Sequence, residues 1–110
     1  MEIGLITPYE LRMKAACGKV FIVDVREPGR YNAFHICGSV NIPECEFDTS
    51  NGPEHHLICR FRRYEAAGYD IVLYCDRGNA SMFCAGVLVR NGIHCFSLLG
   101  GLIRYKNTLT

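Results

Sequence analysis

No Cys-x-x-Cys pair occurs in this sequence, although it holds seven cysteines. The zinc-ribbon and thioredoxin spacings are therefore both missing. The count is odd, and Cys17, Cys37, Cys45, Cys59, Cys75, Cys84 and Cys95 are scattered singly, so no disulfide framework is implied. No apolar run approaches the ~20 residues that a membrane span needs. The opening residues, MEIGLITPYE, lack the basic start and apolar stretch of a signal peptide. Neither sign of charge is in excess, since twelve basic side chains nearly cancel eleven acidic ones. That balance gives no reason to expect nucleic acid or an anionic membrane surface as a partner. The compartment expected from these absences is a reducing cytoplasm with most thiols free.

What remains is a chain of 110 residues, 49% of them hydrophobic. Such a length predicts one domain, spanning 1–110, able to bury a core without disulfides or a structural metal. The first helix carries its own punctuation. Thr7 caps it, Pro8 suits the first helical position, Glu10 completes a T-x-x-E capping box, and Gly18 supplies a left-handed stop. Val20-Phe21-Ile22-Val23 and Ile71-Val72-Leu73-Tyr74 are short, unbroken apolar runs, as strands buried on both faces are. Residues 24–30 read as a loop entering a short helix, and Ser39–Ile42 reads as another strand ended by Pro43. A turn cluster at Ser50-Asn51-Gly52-Pro53 precedes a helix over Glu54–Ala67, with Leu57, Ile58, Phe61 and Tyr64 on one stripe. Asn79–Arg90 is apolar on nearly every side, which predicts a buried helix stopped by Asn91-Gly92. Cys95–Leu99 forms a last strand, and Gly100-Gly101 opens a closing helix. Strands alternating with helices predict an α/β domain with a parallel sheet.

The chemistry is expected at Tyr74-Cys75-Asp76-Arg77-Gly78-Asn79-Ala80-Ser81. Cys75 falls between a buried strand and a buried helix, at the carboxyl edge where open α/β sheets place ligands. The connection must curl tightly, and Gly78 gives the backbone freedom for it. A curled loop entering a helix turns several N–H groups inward, and these favour an anion at its centre, here the thiolate of Cys75. Free cysteines more often serve as small apolar core residues. That reading is applied to the other six, with Cys84 in the apolar helix and Cys95 in the last strand as its plainest cases.

At these residues the sequence resembles the rhodanese family of sulfurtransferases, from about Ile3 to Lys106. Asp24-Val25-Arg26-Glu27 resembles the family's D-V-R-E segment, and His35 to Pro43 resembles its H-I-x-G-[AS]-x-N-I-P segment. Cys75 to Ser81 resembles the active-site loop, and Leu99-Gly100-Gly101 with Tyr105 resembles the L-x-G-G ending, with tyrosine where tryptophan is usual. The resemblance implies a three-layer sandwich with a central, mostly parallel sheet and helices on both faces. It also implies a Cys75 thiolate that takes sulfane sulfur from a small donor such as thiosulfate and passes it, through a persulfide, to a thiol or protein acceptor. Such a route needs no metal and no organic cofactor. Asp76, Arg77, Gly78, Asn79, Ala80 and Ser81 are the implied substrate-binding loop. Asp24, Arg26 and His35 are implied to be structural neighbours of the site, with an acid–base role for any of them as the alternative.

His55 and His56 are adjacent rather than three or four apart, so they are not read as a metal pair. With Arg60, Arg62 and Arg63 they form either a solvated helix face or a basic patch docking an acidic acceptor. Two other functions compete. A rhodanese-fold phosphatase or arsenate reductase would need Arg six residues after the cysteine, where this chain has Ser81, and usually His where it has Tyr74. A non-catalytic interaction module would fit a domain that had lost the cysteine, which this one keeps. Within the loop, Arg77 should attract a dianion and Asp76 repel it. Two charges so close nearly cancel at a distance, so weak thiosulfate binding is expected, with a persulfide as the natural donor.

Overall fold

The computed structural model describes residues 2–47 and 56–108. Along the chain these are β1 (Gly4–Ile6), α1 (Pro8–Cys17), β2 (Val20–Asp24), α2 (Pro28–Ala33), β3 (Val40–Asn41) and a 3-10 turn (Glu44–Phe47). There follow α3 (His56–Ala66), β4 (Asp70–Tyr74), α4 (Asn79–Arg90), β5 (Phe96–Leu98) and α5 (Gly101–Asn107). The strands form one sheet in the order β1-β5-β4-β2-β3, and each pairing among the described strands is parallel. The expectation of a mostly parallel sheet thus becomes a fully parallel one.

Local signals explain most of these boundaries. Thr7 and Glu10 form the expected reciprocal cap, Thr7 N–H donating to Glu10 Oε1 at 2.9 Å and Glu10 N–H to Thr7 Oγ1 at 3.1 Å. Side chains then alternate across the sheet. Phe21, Val23, Ile71, Leu73 and Cys95 face a core shared with Leu57, Ile58 and Phe61 of α3 and Cys84, Ala85 and Leu88 of α4. Ile22, Val72, Tyr74 and Leu98 face the other way, onto Leu11 of α1 and Leu102 of α5. Helices on both faces of a central sheet make the three layers the sequence implies.

Four expectations change. β1 is a strand that no local pattern announced; it pairs with β5 from Gly4 opposite Phe96 to Ile6 opposite Leu98. The strand expected over Ser39–Ile42 shortens to Val40–Asn41, because it is an edge strand bonded to β2 alone. α4 is not buried all round: Met82 is 40% and Phe83 55% exposed on its first turns. Of the six cysteines read as core, only Cys84 and Cys95 are buried, while Cys17, Cys37, Cys45 and Cys59 are exposed on helices, turns or loops. Cysteine's average preference for burial does not override the face a position happens to occupy. The turn at Ser50–Pro53, His55 and the first residues of the 54–67 helix lie outside the described residues.

Candidate active site

The site grows from the reversal in strand order. β2 and β4 are neighbours, with Asp24 opposite Tyr74, yet the chain leaves β2 toward β3 and leaves β4 toward β5. The two exits diverge and open a crevice at the carboxyl edge of the sheet. Val25 bridges it, its N–H donating to Tyr74 O at 3.0 Å, and the next residue along β4 is Cys75. A cavity of about 640 Å³ opens here, lined by Arg26 and Arg30 on one side and by Cys75, Asp76, Arg77 and Asn79 on the other.

The loop after Cys75 curls as its glycine permits. Gly78 has φ 110°, in the left-handed region, and immediately precedes α4. Its N–H donates to Cys75 Sγ at 3.1 Å, and Ser81 N–H donates to the same sulfur at 3.3 Å. Cys75 is buried, and its S–H lies 3.6 Å from Ser81 Oγ, which accepts it. The Ser81 hydroxyl also meets Gly78 O at 3.2 Å and Ser97 Oγ at 2.8 Å. Two backbone donors converging on one buried sulfur is what an anionic sulfur needs in place of water.

From behind, α5 holds the same loop. Leu102 N–H donates to Cys75 O at 2.8 Å and Ile103 N–H to Asp76 O at 3.1 Å. These first amides of α5 would otherwise lack partners, and they fix the loop carbonyls instead. The approach is so close that it requires glycine at 101: its φ is 62°, and a β-carbon there would lie 2.6 Å from Cys75 O.

A chain of charges runs along the crevice. The Arg26 guanidinium bonds buried Asp24 through Nε at 3.1 Å and through an end nitrogen at 2.8 Å, and it reaches Asp76 at 3.3 Å. Burial opposes the charge on Arg26, but the Asp24 hydrogen bond and charge outweigh it and hold the guanidinium more firmly protonated than usual. Arg30, from α2, meets the other Asp76 oxygen at 2.5 Å. Asp24 and Arg26 form a buried ion pair beside the cavity. Asp76 is engaged by two arginines, and Arg77 stands exposed on a cavity wall that also carries Glu27 and Glu44. Asn79 and Ala80 also line the cavity, while Gly78 and Ser81 serve the sulfur directly.

His35 is not among the residues lining the Cys75 cavity. Its ring stacks on Tyr31 with centroids 3.9 Å apart, and its Nδ1 is 2.8 Å from Tyr31 O. Arg60, Arg62 and Arg63 are exposed and do not line the Cys75 cavity. Arg62 donates to Asn91 O at 2.6 Å, and Arg60 lies over the Phe21 ring. Among the described residues no cluster of His, Cys, Asp or Glu could hold a metal ion, and no helix is long and apolar enough to cross a membrane.

Two residues near the sulfur are not announced by the sequence. Cys45 lines the cavity from the 3-10 turn, exposed where Cys75 is buried. Ser97 sits in β5 at 1% exposure with its hydroxyl on Ser81. A serine inside an apolar strand was a signal, because a buried hydroxyl needs a partner. Tyr74 ends the strand before Cys75, as the sequence leads one to expect, but the tie made by its hydroxyl has no local signal. Its buried hydroxyl accepts from Ile36 N–H at 3.0 Å and meets Ser39 Oγ at 3.1 Å, stapling the residue before Cys75 to the loop ahead of β3. Burial pushes this phenol well above its ordinary value, so it stays neutral. Tyr74→Phe keeps the ring but leaves Ile36 N–H without an acceptor. A loss of about 1–2 kcal/mol of stability is expected from urea unfolding. An unchanged midpoint would show that water replaces the staple.

The rhodanese-like domain family matches residues 7–108 of the chain. Thiosulfate sulfurtransferase GlpE of Pseudomonas fluorescens is 31% identical over 108 residues, covering 97% of this chain and 88% of that protein. The GlpE of Pseudomonas entomophila is 28% identical with the same coverage. Among solved structures, reduced Bacillus anthracis CoADR-RHD superposes with a TM-score of 0.74 at 26% identity, covering 97% of this chain and 17% of that one. The parallel order β1-β5-β4-β2-β3, the curled loop after β4 and a match over nearly the whole length agree: the chain belongs to the rhodanese-like domain family.

Proposed function

We propose that this protein is a sulfurtransferase that carries sulfane sulfur on Cys75. The observation that carries the reading is the convergence of Gly78 N–H and Ser81 N–H on a buried Cys75 Sγ. In the first half-reaction the thiolate attacks the outer sulfur of thiosulfate. The S–S bond of the donor breaks, sulfite leaves with its electron pair, and a Cys75 persulfide anion remains. In the second, an acceptor such as cyanide or a thiol attacks the outer persulfide sulfur and returns Cys75 as a thiolate. Negative charge stays on sulfur throughout, so the same amide donors serve each stage, and no redox partner is consumed. The similar proteins named thiosulfate sulfurtransferase support thiosulfate as a donor. At the position where a phosphatase loop needs arginine stands Ser81, buried and turned to the sulfur.

The test is incubation with thiosulfate followed by alkylation and peptide mapping. One extra sulfur on the peptide holding Cys75, removed by cyanide as thiocyanate, is the expected result. Mapping is needed because four exposed thiols could trap sulfur without catalysis, and an intact mass would not distinguish them. Sulfur found only on the exposed cysteines would overturn the proposal.

Donor preference follows from the charges on the cavity wall. With Asp76 bound to Arg26 and Arg30, Arg77 is the exposed cation nearest Cys75 in sequence, on a wall that also carries Glu27 and Glu44. Arg77→Ala should raise the Michaelis constant for thiosulfate about three- to tenfold at low salt, and Asp76→Asn should lower it by freeing the two arginines. Both effects should shrink as salt is added. If neither variant differs from the parent at low ionic strength, these side chains do not meet the donor.

A further inference from the structure

The sulfur has a hydroxyl neighbour, and that neighbour has one of its own. Cys75, Ser81 and Ser97 come from the loop after β4, the first turn of α4 and the middle of β5. They meet on the α4 face of the sheet, with Ser81 and Ser97 at 0% and 1% exposure. Ser97 Oγ lies 2.8 Å from Ser81 Oγ, the shortest contact of the trio, and Ser81 Oγ lies 3.6 Å from Cys75 Sγ.

A hydroxyl has one proton to give and two lone pairs to receive with. While Cys75 is a thiol, its S–H donates to Ser81 Oγ, and Ser81 gives its own proton to Gly78 O at 3.2 Å. Ser97 O–H then fills the second lone pair of Ser81. Once Cys75 loses its proton, the sulfur can only accept. Ser81 must then rotate its O–H from Gly78 O to the sulfur, which removes its bond to the carbonyl. Ser97 is the group that stays bonded to Ser81 Oγ in both arrangements. It holds that oxygen in place during the rotation and, by donating to it, strengthens the proton that Ser81 offers to the sulfur.

We propose that Ser97 is a positioning residue for the Cys75 thiolate, acting through the Ser81 hydroxyl. The inference deepens the sulfur-transfer reading, but its test needs only that Cys75 reacts as a thiolate. It therefore separates from failure of the transfer activity itself.

The experiment compares Ser97→Thr with Ser97→Val. Both add the same bulk to one strand position, and only threonine keeps the hydroxyl. The rate of iodoacetamide alkylation at Cys75 is followed against pH by peptide mapping, so that the exposed cysteines do not contribute. The valine variant is expected to reach half-maximal rate at a pH roughly half a unit to one unit higher than the threonine variant, which should track the parent. Ser97→Ala, which adds no bulk, should move in the same direction as valine and covers the case in which valine does not fold. Coincident profiles for threonine and the hydroxyl-free variants, or a shift to lower pH, would overturn the proposal. If all three profiles matched the parent while thermal stability fell, Ser97 would be a packing residue only.

Discussion

Replacing Cys75 by serine should abolish sulfur transfer and leave the fold standing. The rate from thiosulfate to cyanide is expected to fall at least about a thousandfold, to the uncatalysed background. Serine's hydroxyl is not ionised at neutral pH, and an oxygen cannot hold sulfane sulfur as a persulfide does. The substitution is otherwise mild. The site already offers two N–H donors to whatever stands at 75, so a serine oxygen is buried with partners in reach. Unfolding temperature should change little, which separates loss of chemistry from loss of structure. Single substitutions at Cys17, Cys37, Cys45, Cys59, Cys84 or Cys95 should leave a persulfide-forming protein. Burial pushes the Cys84 thiol up and the Cys95 thiol to about 12, so neither is an anion at neutral pH. A Cys75→Ser protein that kept most of the rate would remove Cys75 from the mechanism.

Gly101→Ala is the largest structural effect expected. The residue lies 26 positions beyond Cys75 and has no chemistry of its own, yet the space where a β-carbon would stand is filled by the loop backbone. An added β-carbon meets the carbonyls of Cys75 and Asp76, which are backbone and cannot swing aside. A left-handed φ adds to the cost for any L side chain. Strain and crowding together come to about 3 kcal/mol. Part of that strain can be relieved only by lifting α5 away from the loop, which breaks the bonds from Leu102 N–H and Ile103 N–H. The loop then loses its backing, and activity should fall about a hundredfold, since a displacement near 1 Å is enough for such a loss. The check pairs a melting curve with the transfer assay. A variant with parental stability and rate would mean that the first turn of α5 yields without cost. Gly78→Val should act on the front of the same loop, with slower alkylation of Cys75, because the left-handed backbone there disfavours a branched side chain.

Much of this was legible in the sequence because the signals are local. A cap at Thr7, a proline at 8 and a glycine at 18 bound α1 by short-range hydrogen bonds, so reading them needs no knowledge of the rest of the chain. The runs at 20–23 and 71–74 declare burial on both faces by composition alone. Cys75 and Gly78 could be found because a strand end, a glycine and a helix start are neighbours in sequence. The misses are non-local. Gly4–Ile6 becomes a strand only because Phe96–Leu98 lies beside it. The Asp76 charge is taken by Arg26 and Arg30, dozens of residues upstream. Ser97 matters because α4 brings Ser81 against it. The exposure of Met82 and Phe83 on α4 likewise depends on which neighbouring elements cover that helix.

The pairing of β1 with β5 also sets an order in time. β1 touches the sheet through β5 alone, so Gly4 waits for Phe96 before it has a strand to join. Closing so long a stretch of chain carries its entropic cost before any contact rewards it, which makes this pairing a late event in folding. The Cys75 and Asp76 carbonyls wait similarly for residues 102 and 103. A chain emerging from the ribosome can assemble β2, β3 and β4 with the helices between them, but its reactive loop and its first strand mature together, when the final strand and helix arrive. Until then β4 is an open edge carrying an unfinished thiol loop. During that interval Cys75 stands beside an uncovered strand edge, without the contacts that α5 later supplies.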